Sequence, residues 1–214
     1  MQRLNQTVKG ITCVLYSKLV QSQLRGSQKQ VTKLLDVFEG QSCSVSFNDI
    51  YLFIYKLFRK AQIEPECLIA ALIYIDQFQA HTQVNLSQTN FYKIVFTAIV
   101  LASKTWDDVS CSTKSFSLCT SLFSQNQLVR MERVFIGILD YKLFLESQDY
   151  KDYYYNLKKI WQSLQVQEDK EISIIGWNEW YGEVHTTVYL LDDWGIEELI
   201  SYVCNDVKQI QQMS

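Results

Sequence analysis

Between Asn48 and Arg59 the apolar residues Ile50, Phe53, Ile54, Leu57 and Phe58 recur at i, i+3, i+4, i+7 and i+8. That spacing puts them on one stripe of an α-helix, and Ser46 or Asn48 supplies the N-cap oxygen. A second helix is predicted after Pro65, whose missing amide hydrogen suits a first turn, with Glu64 and Glu66 at the positive end of its dipole. Its residues Cys67, Leu68, Ile69, Leu72, Ile73 and Ile75 cover nearly every face. After a polar loop over 81–87, the stretch Phe91, Ile94, Val95, Phe96, Ala98, Ile99, Val100, Leu101, Ala102 is apolar all round. A helix without a polar face belongs in the middle of a bundle. A short helix is predicted over Ser115 to Phe123, and a longer one over Gln125 to Asp140 carrying Leu128, Met131, Phe135, Ile138 and Leu139.

Weaker patterns flank these five. Ile11, Val14, Leu15 and Leu19 predict a helix over Lys9 to Gln21, and Val31, Leu34, Leu35 and Phe38 predict a second short helix ending near Gly40. Downstream, Tyr153, Tyr154, Leu157, Ile160, Trp161 and Leu164 share a stripe, and Leu199, Ile200, Val203 and Val207 predict a last helix over Ile196 to Ile210. Between these two, Val184, Thr186, Val188 and Leu190 alternate, so a short β element fits somewhere in 172–191. Large aromatics such as Trp177, Trp180 and Trp194 imply that this tail is ordered, because such rings are costly to leave in water.

Composition narrows the class. Hydrophobic residues make up 48% of the 214 positions and charged residues 20%, the mix of a folded globular chain. Seven glycines and one proline are too few for the many turns of a sandwich or doubly wound sheet. The expectation is an all-α fold. A net charge of −3 gives no general attraction to phosphate backbones, so nucleic acid is not expected as a partner. The six cysteines show no CxxC spacing and no signal peptide precedes them, which implies reduced thiols and an intracellular location, cytoplasmic or nuclear. The apolar runs are too short to span a bilayer, and Gln at position 2 leaves no N-myristoylation site.

Three runs of residues carry a family resemblance. Glu66-Cys67-Leu68-Ile69-Ala70-Ala71-Leu72-Ile73-Tyr74-Ile75-Asp76-Gln77-Phe78 resembles the second helix of a cyclin box. Leu101-Ala102-Ser103-Lys104-Thr105-Trp106-Asp107-Asp108 resembles the end of the third helix in the cyclin Y and Pho80-like groups, and Arg130-Met131-Glu132-Arg133 with Phe135, Leu139 and Tyr141 resembles the fifth. Order and spacing agree as well, and the likeness to the cyclin Y group extends over roughly residues 9 to 162. The resemblance implies a five-helix cyclin box over 47–141, N-terminal helices within 1–46 packing on it, and a C-terminal helical extension over 142–214.

It also implies a function. In cyclins the surface at the end of the third helix and the start of the fifth grips the C helix of a kinase and turns that helix's glutamate inward to meet the strand lysine. Here the resemblance places that role on Lys104 and Glu132, with Trp106, Asp107 and Asp108 beside them. The partner implied is a cyclin-dependent kinase of the PCTAIRE, PFTAIRE or Pho85-like branch. A second reading keeps the box as an interaction subunit of a larger multi-protein assembly without a kinase. Taken singly, Lys104 could be a solvated lysine at a helix end and Glu132 an ordinary exposed carboxylate; replacing both with alanine is expected to weaken kinase binding and leave the fold intact, because changes at polar positions on helix ends cost little stability. The stretch Ser46-Phe47-Asn48-Asp49-Ile50 departs from the MRAIL run of cell-cycle cyclins, so their docking groove for RxL peptides is not expected.

No catalytic machinery is expected. The chain has no GxxxxGK loop, GxSxG elbow or kinase HRD and DFG set. His81 and His185 are its only histidines and lie far apart, and the cysteines lack ligand spacing, so neither a metal nor a cofactor is implied.

Overall fold

The first apolar stripe begins earlier and ends later than its spacing predicts: α1 runs Gln2–Arg25 and buries Val8, Ile11, Val14, Leu15 and Leu19. Thr12 sits on the same buried face and satisfies its hydroxyl by donating to the carbonyl of Val8 at 2.7 Å. The computed structural model describes residues 2–25, 33–120 and 122–168. The expected helix over Ile196 to Ile210, the strand-like stretch near 172–191 and the tail aromatics lie outside the described residues.

The helix expected to end near Gly40 is, within the described residues, a single 3-10 turn at Leu35–Phe38. Only part of its stripe is used. Phe38 inserts edge-on against Phe78 at 5.2 Å and Phe135 at 6.0 Å, whereas Leu34 is 57% exposed. The Lys93 ammonium donates to the carbonyls of Val37, at 3.1 Å, and Glu39, so a side chain rather than a further helical turn satisfies this end. Burial holds the Lys93 pKa below the ordinary lysine value. Gly40 follows where a Cβ would stand 3.1 Å from the carbonyl oxygen of Thr89, a close approach that explains the small residue.

Five helices then follow between Phe47 and Asp140, as the periodicity predicts. Helix α2 (Phe47–Ala61) starts at Ser46, not Asn48: the Ser46 hydroxyl accepts from the Asp49 amide and the Asp49 carboxylate accepts from the Ser46 amide, a reciprocal capping box. Helix α3 (Pro65–Thr82) has Pro65 in its first turn and ends in left-handed Gln83. Helix α4 (Phe91–Trp106) buries every residue from Ile94 to Ser103. Helix α5 (Thr113–Cys119) begins and ends earlier than expected, because Ser112 caps the Ser115 amide and the chain turns extended at Thr120. Helix α6 (Gln125–Ile138) has a Ser124–Gln127 capping box and stops short of Asp140, since Asp140 and Tyr141 take left-handed φ values of 51° and 61°. Helix α7 (Ser147–Glu168) completes the described chain and buries Leu157.

Helix α4 is the centre of the bundle, packed on α3 and α6. Phe96 and Phe91 are fully buried, as are Phe116 of α5 and Phe135 of α6. Helix α1 lies across α2 and α3, and α7 packs on α1 and α3. One polar cluster joins the outer helices to α3. Lys18 of α1 pairs with Asp76 at 2.5 Å, and the Tyr153 hydroxyl of α7 donates to the other Asp76 oxygen at 2.6 Å. Burial, reinforced by the Asp76 charge, raises the Tyr153 phenol far above its usual pKa.

Candidate functional site

The last turn of α4 carries Lys104, where a cation is favoured by the negative end of the helix dipole. Glu132 lies midway along α6. The two meet: the Lys104 ammonium is 2.6 Å from Glu132 Oε2. A third group completes the arrangement. Thr113, the first residue of α5, accepts a hydrogen bond from Lys104 and donates its own hydroxyl hydrogen to Glu132 Oε1 at 3.0 Å. Three helices therefore converge on one ion pair.

Its environment is half dry. The Lys104 side chain is 28% exposed and that of Glu132 only 11%. Glu132 is thus no ordinary exposed carboxylate of an amphipathic helix. A carboxylate at that depth needs partners on both oxygens, and Lys104 and Thr113 provide one each. Of the three donors on the Lys104 ammonium, two go to Glu132 and Thr113. Among the described residues nothing takes up the third Lys104 N–H or the remaining lone pairs of Glu132.

The neighbouring residues divide between surface and support. Trp106 is 40% exposed, yet its ring is anchored: Nε1–H donates to the Tyr74 hydroxyl at 2.8 Å, which in turn donates to the Leu143 carbonyl. Phe144, 83% exposed, lies against it with centroids 6.2 Å apart. Asp108 is exposed and makes no side-chain hydrogen bond or ion pair among the described residues. Asp107 faces inward instead. One oxygen accepts from the Ser103 hydroxyl at 2.5 Å, and the other from the Cys67 thiol at 3.0 Å and the Glu64 amide at 3.3 Å. These bonds tie the end of α4 to the start of α3. Burial, and secondarily the Asp107 acceptor, pushes the Cys67 thiol pKa well up, so it stays protonated.

The family model for the cyclin N-terminal domain matches residues 22–144, more than half of the chain. The chain belongs to the cyclin family. The matched span contains α2 to α6 whole, and with them Lys104, Thr113 and Glu132. Cyclins are regulatory rather than catalytic proteins, and kinase regulation is typical of them, so a cyclin-type regulatory role attaches to this chain. Among the described residues no helix of this cyclin is long and apolar enough to cross a membrane, and no three His, Cys, Asp or Glu side chains gather as a metal site requires.

Sequence reasoning brought Lys104 and Glu132 to the same surface but missed Thr113. The run Ser110, Cys111, Ser112, Thr113, Lys114, Ser115 offers four hydroxyls, and nothing in their order says which one faces α6. The Lys18–Asp76–Tyr153 cluster was missed too, although a lysine on the apolar face of α1 and an aspartate ending the apolar run of α3 were the available signals.

Proposed function

We propose that this cyclin is a cyclin Y-like regulatory subunit that binds and activates a cyclin-dependent kinase of the PCTAIRE, PFTAIRE or Pho85-like type. The observation that carries the reading is the Lys104–Glu132 pair, 2.6 Å apart and partly exposed, with a donor and lone pairs that no other described residue takes up. A site that offers both a donor and acceptors side by side suits main-chain groups of a partner, which carry both kinds. The cyclin Y-like character of the Leu101 to Asp108 run supports the choice of kinase branch.

In this reading Lys104 and Glu132 hold backbone groups next to the kinase C helix and stabilise its inward position, in which its glutamate reaches the catalytic lysine. Trp106 adds apolar contact area and Asp108 a surface charge. Asp107 acts as a positioning residue, because its oxygens hold the end of α4 in place.

The test mixes the full chain with purified PCTAIRE- and PFTAIRE-type kinases and measures binding and phosphoryl transfer. The wild type is expected to raise kinase activity, and Lys104→Ala with Glu132→Ala to weaken binding about tenfold or more, since removing buried interfacial charges costs on the order of 2 kcal/mol or above. A wild-type chain that neither binds nor stimulates any kinase of these branches sinks the proposal.

A further inference from the structure

The Thr113 hydroxyl stands between the two charges. It uses its lone pair on Lys104 and its hydrogen on Glu132 Oε1, and it arrives from α5, a helix that carries neither charge. We infer that Thr113 is a positioning residue of the docking site: it holds the ion pair in the one geometry that leaves a Lys104 N–H and the Glu132 lone pairs available to a partner. The inference rests on the kinase-binding reading for its consequence, but the geometry it concerns belongs to the free protein.

The physical reason lies in the two side chains. A lysine stem has four rotatable bonds, and an ammonium 28% exposed can leave its partner for water at little cost. An ion pair this near the surface is a weak restraint by itself. A second bond from the ammonium, to a hydroxyl fixed at the start of a helix, removes much of that freedom before any partner arrives. On the other side the same hydroxyl supplies the donor that the second oxygen of a carboxylate only 11% exposed requires. Without it, Glu132 would turn toward Lys104 or toward water, and a partner would have to order both side chains on binding. Ordering even one such side chain weakens an association by roughly three- to tenfold.

Thr113→Val keeps the shape and removes the hydroxyl, and Thr113→Ser restores the hydroxyl without the methyl. The first measurement needs no partner: the ¹⁵N-labelled Lys104 ammonium, assigned by its loss in Lys104→Arg, is followed by NMR in the full chain. A signal protected from exchange is expected in the wild type and in Thr113→Ser, and its loss in Thr113→Val. The second measures affinity for the kinase that binds the wild type, with a roughly three- to tenfold loss in Thr113→Val and recovery in Thr113→Ser. Thr113→Ala replaces the valine variant if the methyl that takes the place of the hydroxyl, set against two charged groups, disturbs the start of α5. An ammonium signal equally protected in the variant lacking the hydroxyl overturns the inference, as does unchanged affinity beside a lost signal. If no kinase binds the wild type, the functional reading fails, while the ammonium signal still decides the role of Thr113.

Discussion

Glu132 and Lys104 differ in how much water they can reach, and that difference sets what each substitution does. Lys104→Ala leaves a carboxylate at 11% exposure with, among the described residues, only the Thr113 hydroxyl as a partner. Glu132→Ala leaves an ammonium that can swing out. We expect Lys104→Ala to cost about 1–3 kcal/mol of stability, Glu132→Ala less, and the double variant less than the sum of the two. Urea unfolding of the three variants reads this cycle, and equal, additive losses would contradict it. Tyr153 gives a pH prediction. Its phenol is held neutral by burial and by Asp76, so its folded pKa lies above the unfolded value of about 10. The stabilisation from the neutral phenol is complete below pH ~10 and is lost as pH rises beyond it. Tyr153→Phe should therefore flatten the alkaline fall of the unfolding free energy. Part of the fall remains, because burial also pushes the Tyr92 phenol up to about 12.

At the level of the elements, α2 and α6 begin with the same device. Ser46 with Asp49 and Ser124 with Gln127 each satisfy two amides that helix geometry leaves without partners. The second box matters to the site because it fixes where α6 starts and hence the turn on which Glu132 lies. Ser46→Ala and Ser124→Ala should each lower stability by about 1 kcal/mol in chemical denaturation. Ser124→Ala is the one expected to weaken kinase binding as well, and equal binding by both variants would show that the start of α6 does not tune the site. The left-handed Asp140 and Tyr141 end the same helix and redirect the chain, so that the Leu143 carbonyl reaches Tyr74 and Phe144 lies on Trp106. The aromatic edge of the site thus depends on an unfavourable turn that the surrounding bonds hold in place.

Across the whole molecule, the bundle does not end where its five central helices end. Helix α1 buries Val8, Ile11, Val14, Leu15, Leu19 and Val20, packs on α2, α3 and α7, and is joined to α3 by the Lys18–Asp76 pair. At about 1.5–3 kcal/mol for each fully buried apolar side chain, their removal matches or exceeds the roughly 5–15 kcal/mol by which a domain is stable. A chain lacking residues 1–25 should therefore fail to show cooperative thermal unfolding by circular dichroism. Retention of a sharp transition near the wild-type midpoint would mean that α1 only decorates the bundle.

How much of this was legible beforehand depends on which interactions are local. The helical class, the five central helices and the all-round burial of α4 were written in the spacing of apolar residues, because a 3.6-residue period exposes one face to one neighbour wherever the chain goes. The surface shared by Lys104 and Glu132 came from a family resemblance, not from periodicity. Other features were decided by residues distant in sequence. Leu34 and Phe38 have the same local pattern, yet of these two only Phe38 finds a slot, between Phe78 and Phe135, and the described part of the expected helix is a 3-10 turn. Asp107 and Asp108 are indistinguishable in sequence, but Cys67 and the Glu64 amide take up the first and leave the second outside. Thr113 is one hydroxyl among four until α5 docks beside α6. The sequence by itself determined the helices and their buried faces, which depend on residues a turn or two apart. Only the tertiary structure decided which polar atoms meet, because a hydrogen bond or ion pair needs positions matched to a few tenths of an ångström between segments that only packing brings together.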